Sequence, residues 1–329
     1  MEEQRIYSIS DCLDLFILDL EARCSDKTIE NYENSIRYFT DYITRVKEKP
    51  LEDIAINSIK TVDLNKYVVM LRNRHKYEGH NFRPTQERKI SNTTVRDYSR
   101  DICLFFRFCY RSDYMDYDIT KNFKLISEEH KEVLPLYQYE VEQMEAMFAG
   151  KNERDYRNLA IIHCMLDAGM RSGEVVRLKE CDINFKSNYI YIDRSKGYKS
   201  RYVKMSYRLK SYLMKYLTVF RYPASSKEQP FFFQVGSNKA ITENVIKQMF
   251  ARVRERTEIV RLKPHLLRHT FASSFMCGGG NLESLRDLLG HSSYTVTQKY
   301  IHMSAKYKSL SDDIYKLDRG FMDIYYIKR

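Results

Sequence analysis

Four short stretches in the second half of the chain carry residue types that handle phosphate esters and protons. They are Gly169-Met170-Arg171-Ser172-Gly173-Glu174, a lone Lys196 between two strand-like runs, Pro264-His265-Leu266-Leu267-Arg268-His269-Thr270, and Leu289-Gly290-His291-Ser292-Ser293, with Tyr300 nine residues after His291. A guanidinium presents a rigid fork of donors that matches phosphate oxygens, so Arg171 and Arg268 are of the type that holds an anion. His265 and His291 are of the type that changes charge near neutral pH and moves or orients a proton. A tyrosine hydroxyl has an unperturbed pKa of about 10 and needs a base or a cationic surrounding before it attacks anything. Singly, each piece has an ordinary reading. Arg171 closes a helix end, Lys196 is a solvated turn lysine, His265 and Arg268, at i, i+3 on one helix, pair with acids, and Tyr300 is one of 27 tyrosines.

Their order and flanking residues change that judgement. The segments D-A-G-M-R-S-G-E, S-K-G-Y-K-S-R-Y-V, P-H-L-L-R-H-T-F-A and L-L-G-H-S-S-Y-T-V-T-Q-K-Y resemble, in sequence order, the blocks of the tyrosine recombinase (phage integrase) family. That family's signature is an arginine, a hairpin lysine, a His-x-x-Arg, a His or Trp, and a tyrosine. A lone His-x-x-Arg is weak, whereas matched blocks in order are specific. The resemblance implies that Tyr300 is the nucleophile, that Arg171 and Arg268 clamp the phosphate, and that Lys196, His265 and His291 handle protons or donate hydrogen bonds. Glu174 matches the acidic position after the first arginine and orients its neighbours, while His269 and His302 are read as structural. The implied reaction is site-specific cutting and rejoining of DNA through a 3′-phosphotyrosine, with integration, excision, inversion or resolution all open as its task. The family scheme implies no cofactor, metal or ATP, and the chain shows no clustered metal-ligand spacing.

Around these residues the chain reads as mainly α with a small β component. The resemblance implies an N-terminal helical, SAM-like core-binding domain followed by an α+β tyrosine recombinase catalytic domain. The expected boundaries are a helical DNA-binding domain at 1–126, a linker at 127–136, and a catalytic domain at 137–329 ending in a tail helix. In the first third, Ile9, Cys12, Leu13, Phe16 and Leu20 repeat at helical spacing behind a Ser8/Asp11 capping box. A second stripe runs from Ile29 to Ile43, a third from Leu64 to Leu71 with Asp63 as its expected cap, and a fourth from Val95 to Cys109. On the fourth, Arg96, Arg100 and Arg107 share one face, and with Lys89 from the basic loop 72–89 they are candidates for DNA contact. A solvated outer face explains those arginines equally well. In the second domain a helix from about Asp155 stops at Gly169, a short one holds Val175, Val176 and Leu178, and Tyr189–Ile192 with Arg201–Val203 form a hairpin around Lys196. Leu310, Ile314, Leu317, Phe321 and Ile324 fit an amphipathic tail helix, docked on its own subunit or on a neighbour.

Composition agrees with a nucleic-acid partner. The 55 Lys and Arg exceed 44 Asp and Glu, for a formal charge of +11, which suits a polyanion: DNA, RNA or an anionic membrane surface. No apolar run reaches the roughly 18–20 residues needed to span a membrane. Seven scattered cysteines without a C-x-x-C pair indicate neither a disulfide framework nor a zinc site, so a reducing, cytoplasmic setting is expected. The partners implied are double-stranded DNA recombination sites and a homotetramer on them, the free chain being open to a monomeric state. Little chain precedes the first helix, which points to the simple, Xer-like layout without an arm-binding domain. Two alternatives stay open: a type IB topoisomerase-like or hairpin-telomere-forming enzyme, and a catalytically silent DNA-binding regulator.

Overall fold

The structure, a computed structural model, describes residues 7–79, 84–127, 133–193, 200–221, 226–294, 297–298, 300, 313–317 and 322. The chain divides into two compact units, Met1–Lys131 and Glu132–Arg329.

The first unit is built on four helices: α1 (Ile9–Glu21), α2 (Asp26–Lys47), α3 (Thr61–Asn73) and α4 (Asn92–Arg111). Ser8 and Asp11 close a capping box at the start of α1, each side chain taking the other's backbone N–H at 3.0 Å. Asp63 is not the cap of α3, as expected from sequence. It sits at the third helical position and accepts from the Lys60 N–H at 2.9 Å, so the helix starts three residues earlier, with Lys60 in the cap position. The apolar stripes meet in one core, where Phe16, Phe39, Tyr67, Phe105 and Phe106 are almost fully buried. The 72–89 stretch, read as a loop, contains a short antiparallel ribbon, β1 (His75–Lys76) with β2 (Gln86–Lys89). Its register jumps from His75↔Lys89 to Lys76↔Gln86, a bulge on β2. The four β2 residues are all exposed, so no apolar alternation marks the strand.

The second unit begins with α5 (Gln138–Ala146), α6 (Glu153–Leu166) and α7 (Ser172–Arg177). A three-stranded antiparallel sheet follows, β3 (Ile183–Asn184), β4 (Tyr189–Ile192) and β5 (Arg201–Lys204), in the order β3-β4-β5. Then come α8 (Tyr207–Lys215), which runs into a π-helical turn at Tyr216–Phe220, α9 (Glu243–Arg256), α10 (Pro264–Cys277) and α11 (Leu282–Leu289). Helices α6 and α10 are buried along most of their length and form the centre of this core. Gly169 ends the α6 region at φ +60°, and a Cβ there would lie 2.6 Å from the Phe271 ring of α10. Only glycine permits both that backbone angle and that approach.

Residues 313–317 are not helical, with a turn at Asp313 and an isolated bridge from Ile314 to Tyr137, which corrects part of the expected tail helix. Their backbone bonds go to another segment: the Gln138 N–H donates to Asp313 O at 2.7 Å, and the Tyr315 N–H donates to Leu136 O at 3.1 Å. Ile314, Tyr315 and Leu317 are buried all the same. The Tyr315 hydroxyl donates to Asp167 at 2.6 Å, inside a buried set where Asp167 also accepts from Ser206 at 2.5 Å and lies 3.2 Å from His163 Nδ1. The remainder of the proposed helix lies outside the described residues, apart from Met322.

Candidate active site

Two helix ends, at α6 and α11, leave backbone carbonyls without partners of their own, and the negative end of each helix dipole lies there. Three arginines converge on those carbonyls. Arg268, one turn into α10, donates through Nη1 to Gly169 O and through Nη2 to Leu289 O at 2.5 Å. Arg171 donates from Nη1 to the same Leu289 O at 3.3 Å. Arg201, the first residue of β5, donates from Nε to Leu288 O at 2.6 Å.

One carboxylate ties the three together. Glu174 accepts both Nη groups of Arg201, at 2.9 and 2.8 Å, and Nη1 of Arg171 at 3.0 Å. Its second oxygen takes the Arg171 backbone N–H at 2.8 Å, closing a capping box that fixes where Arg171 leaves the helix. Arg268 Nη1 lies 4.0 Å away. Burial pushes the Glu174 carboxyl up, but the Arg201 hydrogen bonds and charge outweigh it and hold the pKa down to about 2. With three guanidiniums against one carboxylate, the cluster keeps a formal charge of +2. Burial, with Arg171 alongside, lowers the Arg268 pKa to about 9, so Arg268 stays charged at neutral pH.

The turn after α11 delivers His291. Gly290 adopts φ +62°, its N–H donates to Asp287 O at 3.0 Å, and the His291 N–H donates to Arg286 O at 3.0 Å. Those two bonds make a Schellman cap, which aims the next side chain back toward the helix end. His291 Nε2 is 3.2 Å from Arg268 Nη2, and Nδ1 is 2.9 Å from the hydroxyl of Thr297, a fully buried residue. A guanidinium can only donate, so Nε2 accepts and Nδ1 carries the proton.

Tyr300 lies beside this cluster, 3% exposed. Burial pushes its hydroxyl up to about 12, while the charges of Arg268 and Arg171 pull the other way. The His269 ring is 5.5 Å from the Tyr300 ring, centroid to centroid, and its Nε2 donates to Val133 O at 2.6 Å, a structural tie. His265 is exposed in the first turn of α10, one turn before Arg268. Lys196 lies outside the described residues, in the connection between β4 and β5, and so does His302.

The structure thus brings together Arg171, Glu174, Arg268, His291 and Tyr300. Arg201 was missed by the sequence reading. It pairs across the sheet with Ile192 and is in phase with the buried Val203. A charge at an inward strand position requires a buried partner, and that was the available signal.

The DNA-contact candidates of the first unit are engaged differently. Arg100 pairs with Asp97 at 3.2 Å and Asp101 at 3.0 Å. Arg96 donates to Ile126 O at 2.5 Å, and Arg107 donates to the Thr120 hydroxyl at 3.0 Å. Lys89 donates to Asn73 at 2.9 Å.

Comparison with known proteins adds to this geometry. The model of the phage integrase family matches residues 136–306. The chain is similar to a tyrosine recombinase XerC of Staphylococcus aureus (strain USA300 / TCH1516), 28% identical over 292 residues that cover 87% of this chain and 89% of the relative. It shares its fold with the Tn1549 transposon integrase in complex with transposon right end DNA, with a TM-score of 0.70 at 17% identity, covering 93% of this chain and 100% of that one. It shares it also with the XerH site-specific recombinase bound to a palindromic difH substrate, with a TM-score of 0.66 at 18% identity, covering 94% and 90%. No helix among the described residues is long and apolar enough to cross a membrane.

Proposed function

The chain belongs to the phage integrase family of tyrosine recombinases, and on that premise we propose that it cuts and rejoins double-stranded DNA at specific sites through a covalent 3′-phosphotyrosine on Tyr300. The observation that carries this reading is the position of Tyr300, a buried tyrosine beside Arg268 and Arg171, whose charges oppose the burial that raises its hydroxyl pKa. The same two guanidiniums have the fork geometry for the nonbridging oxygens of a phosphodiester.

In the forward step Tyr300 Oη bonds to phosphorus and the bond from phosphorus to the 5′ oxygen breaks. His265 takes the phenolic proton, and Lys196 supplies the proton that the leaving 5′ oxygen needs. Arg171 and Arg268 bind the charge that grows on the nonbridging oxygens, and they work without reorganising because carbonyls and Glu174 already hold them. His291 stands against Arg268 and acts as a hydrogen-bonding partner of the phosphate site. Attack by another strand's 5′ hydroxyl reverses the sequence and frees Tyr300, so the ester keeps its energy and joining requires no ATP. In this reading the helical unit grips DNA, residues 127–136 link it to the catalytic unit, and four chains assemble on paired sites.

The test is a nicked suicide duplex, from which the cleaved end diffuses away. The wild type should accumulate a covalent protein–DNA adduct, and Tyr300→Phe should abolish it with DNA affinity nearly unchanged. An adduct that persists in Tyr300→Phe removes Tyr300 from the role. Two labelled sites incubated together should yield exchanged strands; relaxation without exchange sinks the recombinase reading.

A further inference from the structure

The first unit contains a concave site that the reaction chemistry does not use. A cavity of about 400 Å³ lies between the β1–β2 ribbon, α2 and the start of α4. Its rigid wall is the stacked pair Tyr38 and Tyr98, with ring centroids 5.0 Å apart. Arg74 covers the Tyr38 ring at 4.6 Å and donates to the Glu78 carbonyl, and it is therefore held in place. Three more cations line the cavity. Lys76 lies 4.8 Å from the Tyr77 ring centroid, Arg88 donates to the Gln86 side-chain oxygen at 3.0 Å, and Lys89 donates to the Asn73 side-chain oxygen at 2.9 Å.

Their partners are carbonyls, amides and rings. None of the four forms an ion pair with a carboxylate of a described residue, whereas Arg100 on α4 is matched by two. Glu78, the acid among the residues lining the cavity, turns its carboxylate to the His75 backbone N–H at 2.8 Å. Hydrogen bonds to neutral groups fix a cation's position without cancelling its charge, which suits an anion arriving from outside. The bulge in β2 supports the same use, since it re-aims the side chains of an exposed strand. A two-stranded ribbon also has the dimensions to lie along a DNA groove.

We propose that this cavity seats the phosphate backbone of double-stranded DNA, with Arg74, Lys76, Arg88 and Lys89 as its contacts, so that the ribbon and not the α4 arginine row provides the main electrostatic grip of the first unit. The inference rests on the DNA-recombining reading above. It places the grip on the basic loop 72–89, from which the sequence offers Lys89 alone as a named DNA-contact candidate.

The experiment measures binding of a duplex oligonucleotide against salt for the full chain and for the double variant Arg88→Ala/Lys89→Ala, on a strand exposed enough to leave the fold intact. Each phosphate contact contributes about 0.9 to the slope of log affinity against log salt, so the slope should fall by roughly 2. Equivalently, the variant's affinity should drop by roughly tenfold less than the wild type's between about 50 and 200 mM salt. Arg88→Gln, which removes one charge at similar length, should lower the slope by about 1. Unchanged slopes in both variants overturn the proposal. Adduct formation on the nicked duplex is scored in parallel. Wild-type adducts with unchanged slopes sink only the ribbon site, whereas ribbon-dependent binding without adducts sinks only the recombination reading.

Discussion

The two basic regions of the molecule, the arginine cluster of the second unit and the ribbon of the first, hold positive charge by opposite means. Arg171, Arg201 and Arg268 are pinned by main-chain carbonyls and by a shared carboxylate, and Arg268 is almost completely buried. Arg88 and Lys89 are exposed and Arg74 and Lys76 half-buried, all four with neutral partners. Buried charges are expensive unless paired, so the cluster gives up part of its field to Glu174 and gains fixed geometry. Exposed charges need no such partner and keep their field, at the cost of salt screening. One arrangement suits a developing charge at a single atom, the other a long polyanion.

Four substitutions test that contrast. The largest effect is expected from Arg268→Lys, which keeps the charge and loses the fork: single-turnover cleavage should fall by roughly 10²–10³ while duplex affinity stays near wild type. An equal loss in both would erase the distinction between the regions. Arg201→Ala removes two of the three guanidinium hydrogen bonds to the buried Glu174 carboxylate, and denaturant unfolding of the second unit should show a loss of about 3 kcal/mol. A loss below about 1 kcal/mol would mean that water or a moved arginine replaces the ion pair.

Acid should act on the same pair. The folded Glu174 value, about 2, lies below its ordinary 4.5. Its stabilising contribution is therefore fully present above about pH 4.5 and is lost as the pH falls toward 2, on the order of 3 kcal/mol in all. Stability followed from pH 6 to pH 2 should decline through this window, and Glu174→Gln should flatten the decline. The smallest effect is expected from Arg100→Ala. Two aspartates already neutralise that side chain, and its salt slope for DNA binding should shift by less than about 0.5. A shift as large as that of Arg88→Gln would return the grip to α4.

Much of the site was legible because its parts are local. Gly169 and Gly290 mark helix ends by their type, Glu174 lies three residues after Arg171, and Arg268 lies one turn beyond His265. Their order along the chain did the rest. What escaped was long-range pairing. Arg201 meets Glu174 across 27 residues and Leu288 across 87, and no nearby residue announces either contact. On α4, periodicity placed Arg96, Arg100 and Arg107 on one face but said nothing of the aspartates, the Ile126 carbonyl or the Thr120 hydroxyl that engage them. The 313–317 segment misled for a related reason. Its apolar spacing fits a helix, yet its backbone groups find partners at residues 136–138, and tertiary hydrogen bonding overrode the local pattern.

The Leu289 carbonyl accepts from both Arg171 and Arg268. A single main-chain oxygen thereby acts as a gauge for the separation of the two guanidiniums, and side-chain identity at that position does not enter. Replacing Leu289 by another residue that keeps α11 helical would leave the gauge unchanged. Moving the helix end by one residue, through a deletion or a lost glycine at 290, would shift both forks together. The spacing of the two forks is thus inherited from helix geometry, and it can stay constant while the surrounding sequence drifts.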